Sequence, residues 1–175
     1  MFVADLHNDL VQRMMIGENI SKLTKVGHTD IPRLENSSID MQVLIVWVSK
    51  KSEKYSYLEN AKIMYDQISS LANSNIIIPK TLSDILNAKK NNKLSLPIGM
   101  EGGEALENNI NNLYYFIDRG LFYFGPTWNY SLDWVTSSYD EVYNQSKLIN
   151  YGINKFGLEV IKTCEENKVL IDVSH

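Results

Sequence analysis

The chain has a single cysteine, Cys164, among its 175 residues. One thiol excludes both a disulfide framework and a cysteine-rich zinc site. Long apolar runs are also missing, because no stretch reaches the roughly 18 residues that a membrane helix needs. The N-terminus has no basic segment before its first apolar residues, which argues against a signal peptide. We therefore expect a cytoplasmic protein without a membrane segment.

Positive charge is scarce as well, since 17 Lys and Arg residues face 21 Asp and Glu residues for a net charge of −4. Proteins that bind nucleic acid usually carry a basic patch or stripe, so we expect no nucleic-acid partner. The composition, 44% apolar and 22% charged, is that of a globular protein. A complete TIM barrel typically needs about 250 residues, which is more than this chain has. We expect one domain over residues 1–175.

Apolar, strand-like runs alternate with helix-like stretches along the chain. Strands are predicted over 2–6, 41–48, 94–100, 121–127 and 169–173. Helices are predicted over 57–73, 81–90, 109–119 and 155–167. This alternation indicates an α/β fold with repeated βα units and a mainly parallel sheet. It fits either a small doubly wound sheet or part of a (β/α)8 barrel.

Side chains that bind metals follow three of the predicted strands. His7 and Asp9 come after the first strand, Glu101 after the third and His175 after the fifth. The carboxyl ends of parallel strands carry the active site in both candidate architectures. Imidazole nitrogen and carboxylate oxygen suit Zn²⁺, Fe²⁺ or Mn²⁺. The pattern therefore predicts a metal site at these strand ends.

Each of these residues also has a simpler interpretation. His7 with Asp9 is typical of an Asp-capped turn beside a solvated histidine. Glu101 fits a carboxylate at a helix N-terminus, which the helix dipole favours, and His175 fits a partly buried, hydrogen-bonded histidine. Two of only three histidines nevertheless stand at strand ends beside such carboxylates. The third, His28, lies in a polar stretch, and we assign it no catalytic role.

Five short motifs occur in order and extend over the whole chain. They are DLHND at 5–9, HTDIPRL at 28–34, GMEGGEAL at 99–106, TWN at 127–129 and VLIDVSH at 169–175. Together they resemble the membrane dipeptidase (renal dipeptidase) family of zinc metallopeptidases, in the amidohydrolase-like barrel group. His-x-Asp on the first strand followed by Glu-Gly-Gly is specific, since other barrels of the group commonly carry His-x-His.

The resemblance implies a TIM-type (β/α)8 barrel with two zinc ions, of which this chain supplies about five of eight βα units. His7 and Asp9 would bind the first zinc, and His175 the second. Glu101 would bridge the two ions and act as the catalytic residue. The implied reaction is hydrolysis of dipeptides, often with a D-residue at the C-terminal position, by a water that the metals activate.

Trp128 and Asn129 would contact the substrate, and the intact enzyme would be a homodimer. Trp128 stands where some family members have a histidine, so that contact differs here. A further histidine, an aspartate and an arginine of the family site would all follow His175. We therefore expect a truncated dipeptidase domain with little activity of its own. The alternative is an inactive remnant, or a half-barrel that depends on a partner and binds metal weakly.

Overall fold

A computed structural model describes residues 1–48, 54–148 and 152–175. The chain divides into two compact units. The first combines Met1–Trp47 with Lys62–Gly99, and the second combines Val48–Ala61 with Met100–His175. The single domain expected over residues 1–175 stays a prediction. Within the described ranges, every helix is too short or too polar to cross a membrane.

Strands and helices alternate in the first unit. Its complete strands are β1 (Ala4–Asn8), β2 (Met41–Trp47), β3 (Ile76–Ile77) and β4 (Leu94–Ser95). Its helices are α1 (Leu10–Met15), α2 (Ile31–Glu35), the larger part of α3 (Tyr57–Ser69) and α4 (Leu82–Lys90). Strand β5 (Ile98–Glu101) begins in this unit and ends in the second.

The β2 strand lies between neighbours in the first unit. It pairs in parallel with β1 and with β4, and β4 pairs in parallel with β3. Residues 41–46 of β2 are buried without interruption. An apolar strand buried on both faces is typical of parallel sheets, because crossover helices cover them. Aligned residue pairs are Ala4 with Met41, Met41 with Ser95, and Ile76 with Leu94.

The second unit continues the alternation. After the end of β5 come a short 3-10 turn (Glu104–Leu106), α5 (Ile110–Ile117) and β6 (Leu121–Gly125). Then follow α6 (Ser138–Tyr143), a second 3-10 turn (Gln145–Lys147), α7 (Lys155–Glu166) and β7 (Leu170–Ile171). Strands β6 and β7 pair in parallel, with Tyr123 opposite Leu170 and Phe124 opposite Ile171.

Aromatic side chains form much of the core of the second unit. Phe116, Phe124 and Trp134 are almost completely buried, and Trp134 packs edge-on against Phe156 with ring centroids 5.6 Å apart. Cys164 is buried on α7, and burial raises the pKa of its thiol to about 12. A thiol with so high a pKa stays neutral and acts as a small apolar group here.

The structure confirms the predicted helices and refines the strands. The sequence offers Thr81 or Ser83 as the cap of α4 and Asn154 as the cap of α7, and the structure has Thr81 and Asn154 at these positions. The stretch predicted as one strand over 94–100 is two strands, since Pro97 has no N–H for a continuous ladder. Seven strands occur among the described residues instead of five, because the stretch over 94–100 divides into β4 and β5 and the two-residue strand β3 was not predicted. Helices α1, α2 and α6, of five or six residues, were too short for a periodic pattern to reveal.

Candidate functional site

His7 and Asp9 lie where β1 ends and α1 begins, in the first unit. The register of β1 shifts between Asp5 and Asn8, and the His7 N–H donates to Asp5 Oδ1 at 3.1 Å. Asn8 then turns the chain, because its Oδ1 accepts the Leu10 N–H at 3.0 Å. As a result, His7 Nε2 lies 3.7 Å from Asp9 Oδ1.

The carboxylate of Asp9 is directed at the imidazole and not at the helix. Asp9 occupies the N-cap position of α1, but among the described residues its side chain makes no capping hydrogen bond. The side chains of His7 and Asp9 are 41% and 59% exposed. The Asp-capped turn is therefore present only in its backbone position. The His7 and Asp9 side chains face each other at 3.7 Å, and their binding of a metal stays a prediction.

A network of hydrogen bonds stabilises this turn. Asn8 Nδ2 donates to Thr29 Oγ1 at 3.4 Å, and Arg13 Nη1 donates to the Thr29 carbonyl at 2.5 Å. Arg13 also donates to both carboxylate oxygens of Glu18, at 2.7 and 2.5 Å. This hydrogen bonding raises the pKa of Arg13 and lowers the pKa of Glu18. These partners of Arg13 lie up to 16 residues away in the chain, so the sequence alone does not reveal the network.

Glu101 is the last residue of β5 and is only 8% exposed. It ends a strand, so the alternative of a carboxylate at a helix N-terminus is wrong. Gly102 follows with φ +92°, a left-handed conformation that side chains rarely adopt. The Gly102 N–H donates to the Gly125 carbonyl at 2.9 Å, which fixes the chain directly after Glu101.

Gly103 is required for a different reason. Its N–H donates to the Pro126 carbonyl at 3.0 Å. A Cβ at this position would lie 2.9 Å from the same carbonyl oxygen and would collide with the Trp134 ring. The two glycines of the Glu-Gly-Gly motif thus serve a turn and a close approach, respectively.

His175 follows β7 and lies against Glu101 within the second unit. His175 Nε2 is 2.9 Å from Glu101 Oε1, and the imidazole side chain is 29% exposed. The other ring nitrogen, Nδ1, is 3.1 Å from Asn129 Oδ1. The partly buried, hydrogen-bonded histidine of the simpler interpretation is therefore found, and its partner is the predicted ligand Glu101.

Trp128 and Asn129, the predicted substrate contacts, both lie beside His175. The ring centroids of Trp128 and His175 are 6.4 Å apart, and Trp128 packs edge-on against Tyr130 at 5.4 Å. Their contact with a substrate stays a prediction. His28, to which no role was assigned, is exposed in a loop of the first unit.

Glu104 is a half-buried carboxyl that sequence reasoning passed over. Burial raises its pKa, and the nearby charge of Glu101 raises it further. The only available signal was its place in the GMEGGEAL motif, three residues after Glu101.

Each unit brings one imidazole nitrogen close to one carboxylate oxygen. Two ligands of a tetrahedral zinc, each about 2.1 Å from the ion, lie roughly 3.4 Å apart. The separation is 3.7 Å for His7 with Asp9, which is near this spacing. It is 2.9 Å for Glu101 with His175, which is the length of a direct hydrogen bond. One imidazole nitrogen and one carboxylate oxygen in each pair match the chemistry that zinc prefers. The residues therefore fit a zinc-type metal.

Comparison with protein families gives a match over the whole chain. The family described as membrane dipeptidase (peptidase family M19) matches residues 1–175. An uncharacterized protein in the PQQ-III 3′ region of Acinetobacter calcoaceticus is 27% identical over 203 aligned positions, which cover 99% of this chain and 63% of that protein. Dipeptidase 3 of Rattus norvegicus is 24% identical over 99% of this chain and 36% of its own length. The chain thus spans less than two thirds of the curated relatives it matches.

Two solved structures share the fold over the full length of this chain. The dipeptidase AC, a metallopeptidase of family M19, superposes with a TM-score of 0.82 at 19% identity and is covered over 58% of its chain. A metallopeptidase from Rhodobacter sphaeroides, liganded with a phosphinate mimic of the dipeptide L-Ala-D-Ala, has a TM-score of 0.81 at 18% identity over 59% of its chain. This likeness confirms the predicted fold class, an α/β chain with a parallel sheet that corresponds to part of a larger barrel-type fold.

Proposed function

Because this chain belongs to the membrane dipeptidase family (peptidase family M19), we propose that it carries metal ligands of a zinc-dependent dipeptide hydrolase. The observation that supports this most strongly is the pairing of the buried Glu101 carboxylate with His175 Nε2 at 2.9 Å. A carboxylate that is 8% exposed is costly to bury unless a cation or strong donor compensates its charge.

The proposed ligands are His7, Asp9, Glu101 and His175. His7 and Asp9 would hold one zinc in the first unit, and His175 would hold zinc in the second together with Glu101, the proposed catalytic residue. When bound, zinc supplies Lewis-acid polarisation of a carbonyl and lowers the pKa of water. The chain itself orients these donors. The turn at Asn8 positions His7 and Asp9, and the turn at Gly102 and Gly103 positions Glu101.

The proposed substrate is a dipeptide. The Rhodobacter sphaeroides relative was crystallised with a mimic of L-Ala-D-Ala, which makes this dipeptide the natural first probe. Trp128 and Asn129, which lie beside His175, are the proposed substrate-side residues. A cytoplasmic location and a homodimeric assembly complete the proposal.

The decisive experiment measures zinc binding to the metal-free 175-residue chain by isothermal titration calorimetry. We expect Asp9→Asn, Glu101→Gln and His175→Gln each to weaken zinc binding by at least tenfold. His28→Gln is the matched control, because it removes an exposed imidazole outside the proposed site. If all three variants bound zinc as tightly as the wild type, the assignment of these residues as zinc ligands would be contradicted.

Hydrolysis of L-Ala-D-Ala is measured in the same samples. The family resemblance places a further histidine, an aspartate and an arginine after the position of His175. We therefore expect zinc binding with little turnover from these 175 residues alone. Rapid hydrolysis that a chelator abolishes would support the metal site and contradict the expected low activity. Zinc bound far below one equivalent, without turnover, would favour an inactive remnant.

A further inference from the structure

The imidazole of His175 is held at both of its nitrogens. Nε2 faces Glu101 Oε1 at 2.9 Å, and Nδ1 faces Asn129 Oδ1 at 3.1 Å. The Asn129 amide oxygen and the Glu101 carboxylate oxygen both act as acceptors. The Asn129 contact is therefore a hydrogen bond in a ring form that carries a proton on Nδ1. Two contacts on opposite sides of a planar ring fix both its rotation and the direction of Nε2.

Asn129 is itself held from the start of α6. The Ser137 hydroxyl donates to the Asn129 carbonyl at 3.0 Å and accepts the Asp140 N–H at 3.1 Å. Ser137 is completely buried. The next residue, Ser138, donates its N–H to the His175 carbonyl at 2.7 Å. Two successive residues at one helix start therefore bind the backbones of both Asn129 and His175.

We propose that Asn129 is a positioning residue, which keeps His175 protonated at Nδ1 and directs Nε2 toward Glu101. The proposal rests on the proposed function in that it takes Nε2 as the metal-binding atom. Histidines that bind metals usually donate their other ring N–H to a protein acceptor, and this contact fixes the tautomer and the orientation of the ring. Asn129 would supply that acceptor here, at a separation of 46 residues along the chain.

If Asn129 acts through His175, it controls the proton on the His175 ring, which direct contact with the substrate would not do. An asparagine that only touched the substrate would leave the protons of the His175 ring unchanged when replaced. An asparagine that holds Nδ1–H protects this proton from exchange with solvent, with or without metal. The state of the Nδ1 proton therefore separates the two roles without any measurement of catalysis.

The test uses ¹⁵N-histidine NMR of the 175-residue chain, in which only three histidines contribute signals. His175→Gln identifies the resonance by its loss. We expect a slowly exchanging Nδ1–H signal of His175 in the wild type, its loss in Asn129→Leu and its retention in Asn129→Asp, which keeps an acceptor oxygen. Asn167→Leu is the matched control, because the Asn167 amide bonds to the Thr163 carbonyl and not to a histidine.

Zinc affinity gives the second readout. We expect it to fall about 10- to 100-fold in Asn129→Leu and to recover in Asn129→Asp, as for other partners of metal-bound histidines. An unprotonated, exchange-exposed Nδ1 in the wild type would overturn the proposal even if Asn129→Leu failed to fold. Unchanged Nδ1–H and zinc affinity in a folded Asn129→Leu would overturn it too. Failure of the wild type to bind zinc would instead contradict the proposed function, and the NMR measurement would still decide the role of Asn129.

Discussion

Replacing Gly103 by alanine should destabilise the second unit, because the added methyl group meets two neighbours. Its Cβ would lie 2.9 Å from the Pro126 carbonyl oxygen and would collide with the Trp134 ring. Gly103 has φ −89°, which alanine adopts without strain. The cost therefore arises from overlap alone and not from backbone conformation.

The magnitude follows from overpacking of a tightly filled site. Extra methylenes in such sites cost typically about 1–3 kcal/mol. Trp134 is 2% exposed and has little room to retreat, and the Pro126 oxygen belongs to the backbone. We expect a loss near the middle of this range, which would lower the urea midpoint by about 1 M at a typical slope of about 2 kcal/mol per M.

A double-mutant cycle with Trp134→Phe isolates the overlap. Trp134→Phe removes the outer ring of the indole, whose atoms would meet the new methyl group. Gly103→Ala should then cost less in the Trp134→Phe background, with a coupling free energy of about 0.5–1 kcal/mol. Gly17→Ala is the control. Its φ of +86° makes alanine strained in both backgrounds alike, and its added methyl has no atom within 4 Å, so it should show no coupling to Trp134. Equal costs of Gly103→Ala in both backgrounds would refute the reasoning.

Three further predictions concern stability of the first unit, measured as the free energy of unfolding in urea. Asp30 is completely buried, caps α2 and forms an ion pair with Arg33. Asp30→Ala should therefore cost about 3 kcal/mol of the free energy of unfolding. A cost below about 1 kcal/mol would contradict this. The hydrogen bond from Lys89 lowers the pKa of Asp40 below its ordinary 3.8. The ionised Asp40 therefore stabilises the folded state above pH 3.8, and this stabilisation is lost as the pH falls below that value. The wild type should therefore lose stability more steeply than Asp40→Asn below about pH 4, and parallel pH profiles would exclude this contribution. Thr81 forms a capping box with Asp84, the third residue of α4, and Thr81→Ala should cost about 1 kcal/mol of the free energy of unfolding. An unchanged urea midpoint would show that this cap does not stabilise the folded state.

Features that depend on a few neighbouring residues could be predicted from the sequence. The caps of α4 and α7 are examples, because a side-chain oxygen and the N–H three residues ahead define them. The burial of β2 is another, since a continuous apolar run needs cover on both faces. His7, Asp9 and Glu101 were placed at or just after strand ends by the same local reasoning.

Contacts between distant residues were decided by the tertiary structure. Pro97 indicates a break in the predicted strand over 94–100, but the sequence does not show that Ser95 of β4 lies opposite Met41 of β2. The need for glycine at position 103 depends on where Trp134 lies, 31 residues later. A packing constraint of this kind appears only when two segments have been brought together.

The sequence by itself determined which residue types were available for metal chemistry and that each lay at the end of a strand. Only the tertiary structure decided the partners of His175, Glu101 on one ring nitrogen and Asn129 on the other. The reason is physical: a residue's backbone state responds to its immediate neighbours, whereas the direction of an imidazole depends on acceptors that the packing of strands and loops delivers. Here those acceptors come from positions 74 and 46 residues earlier in the chain.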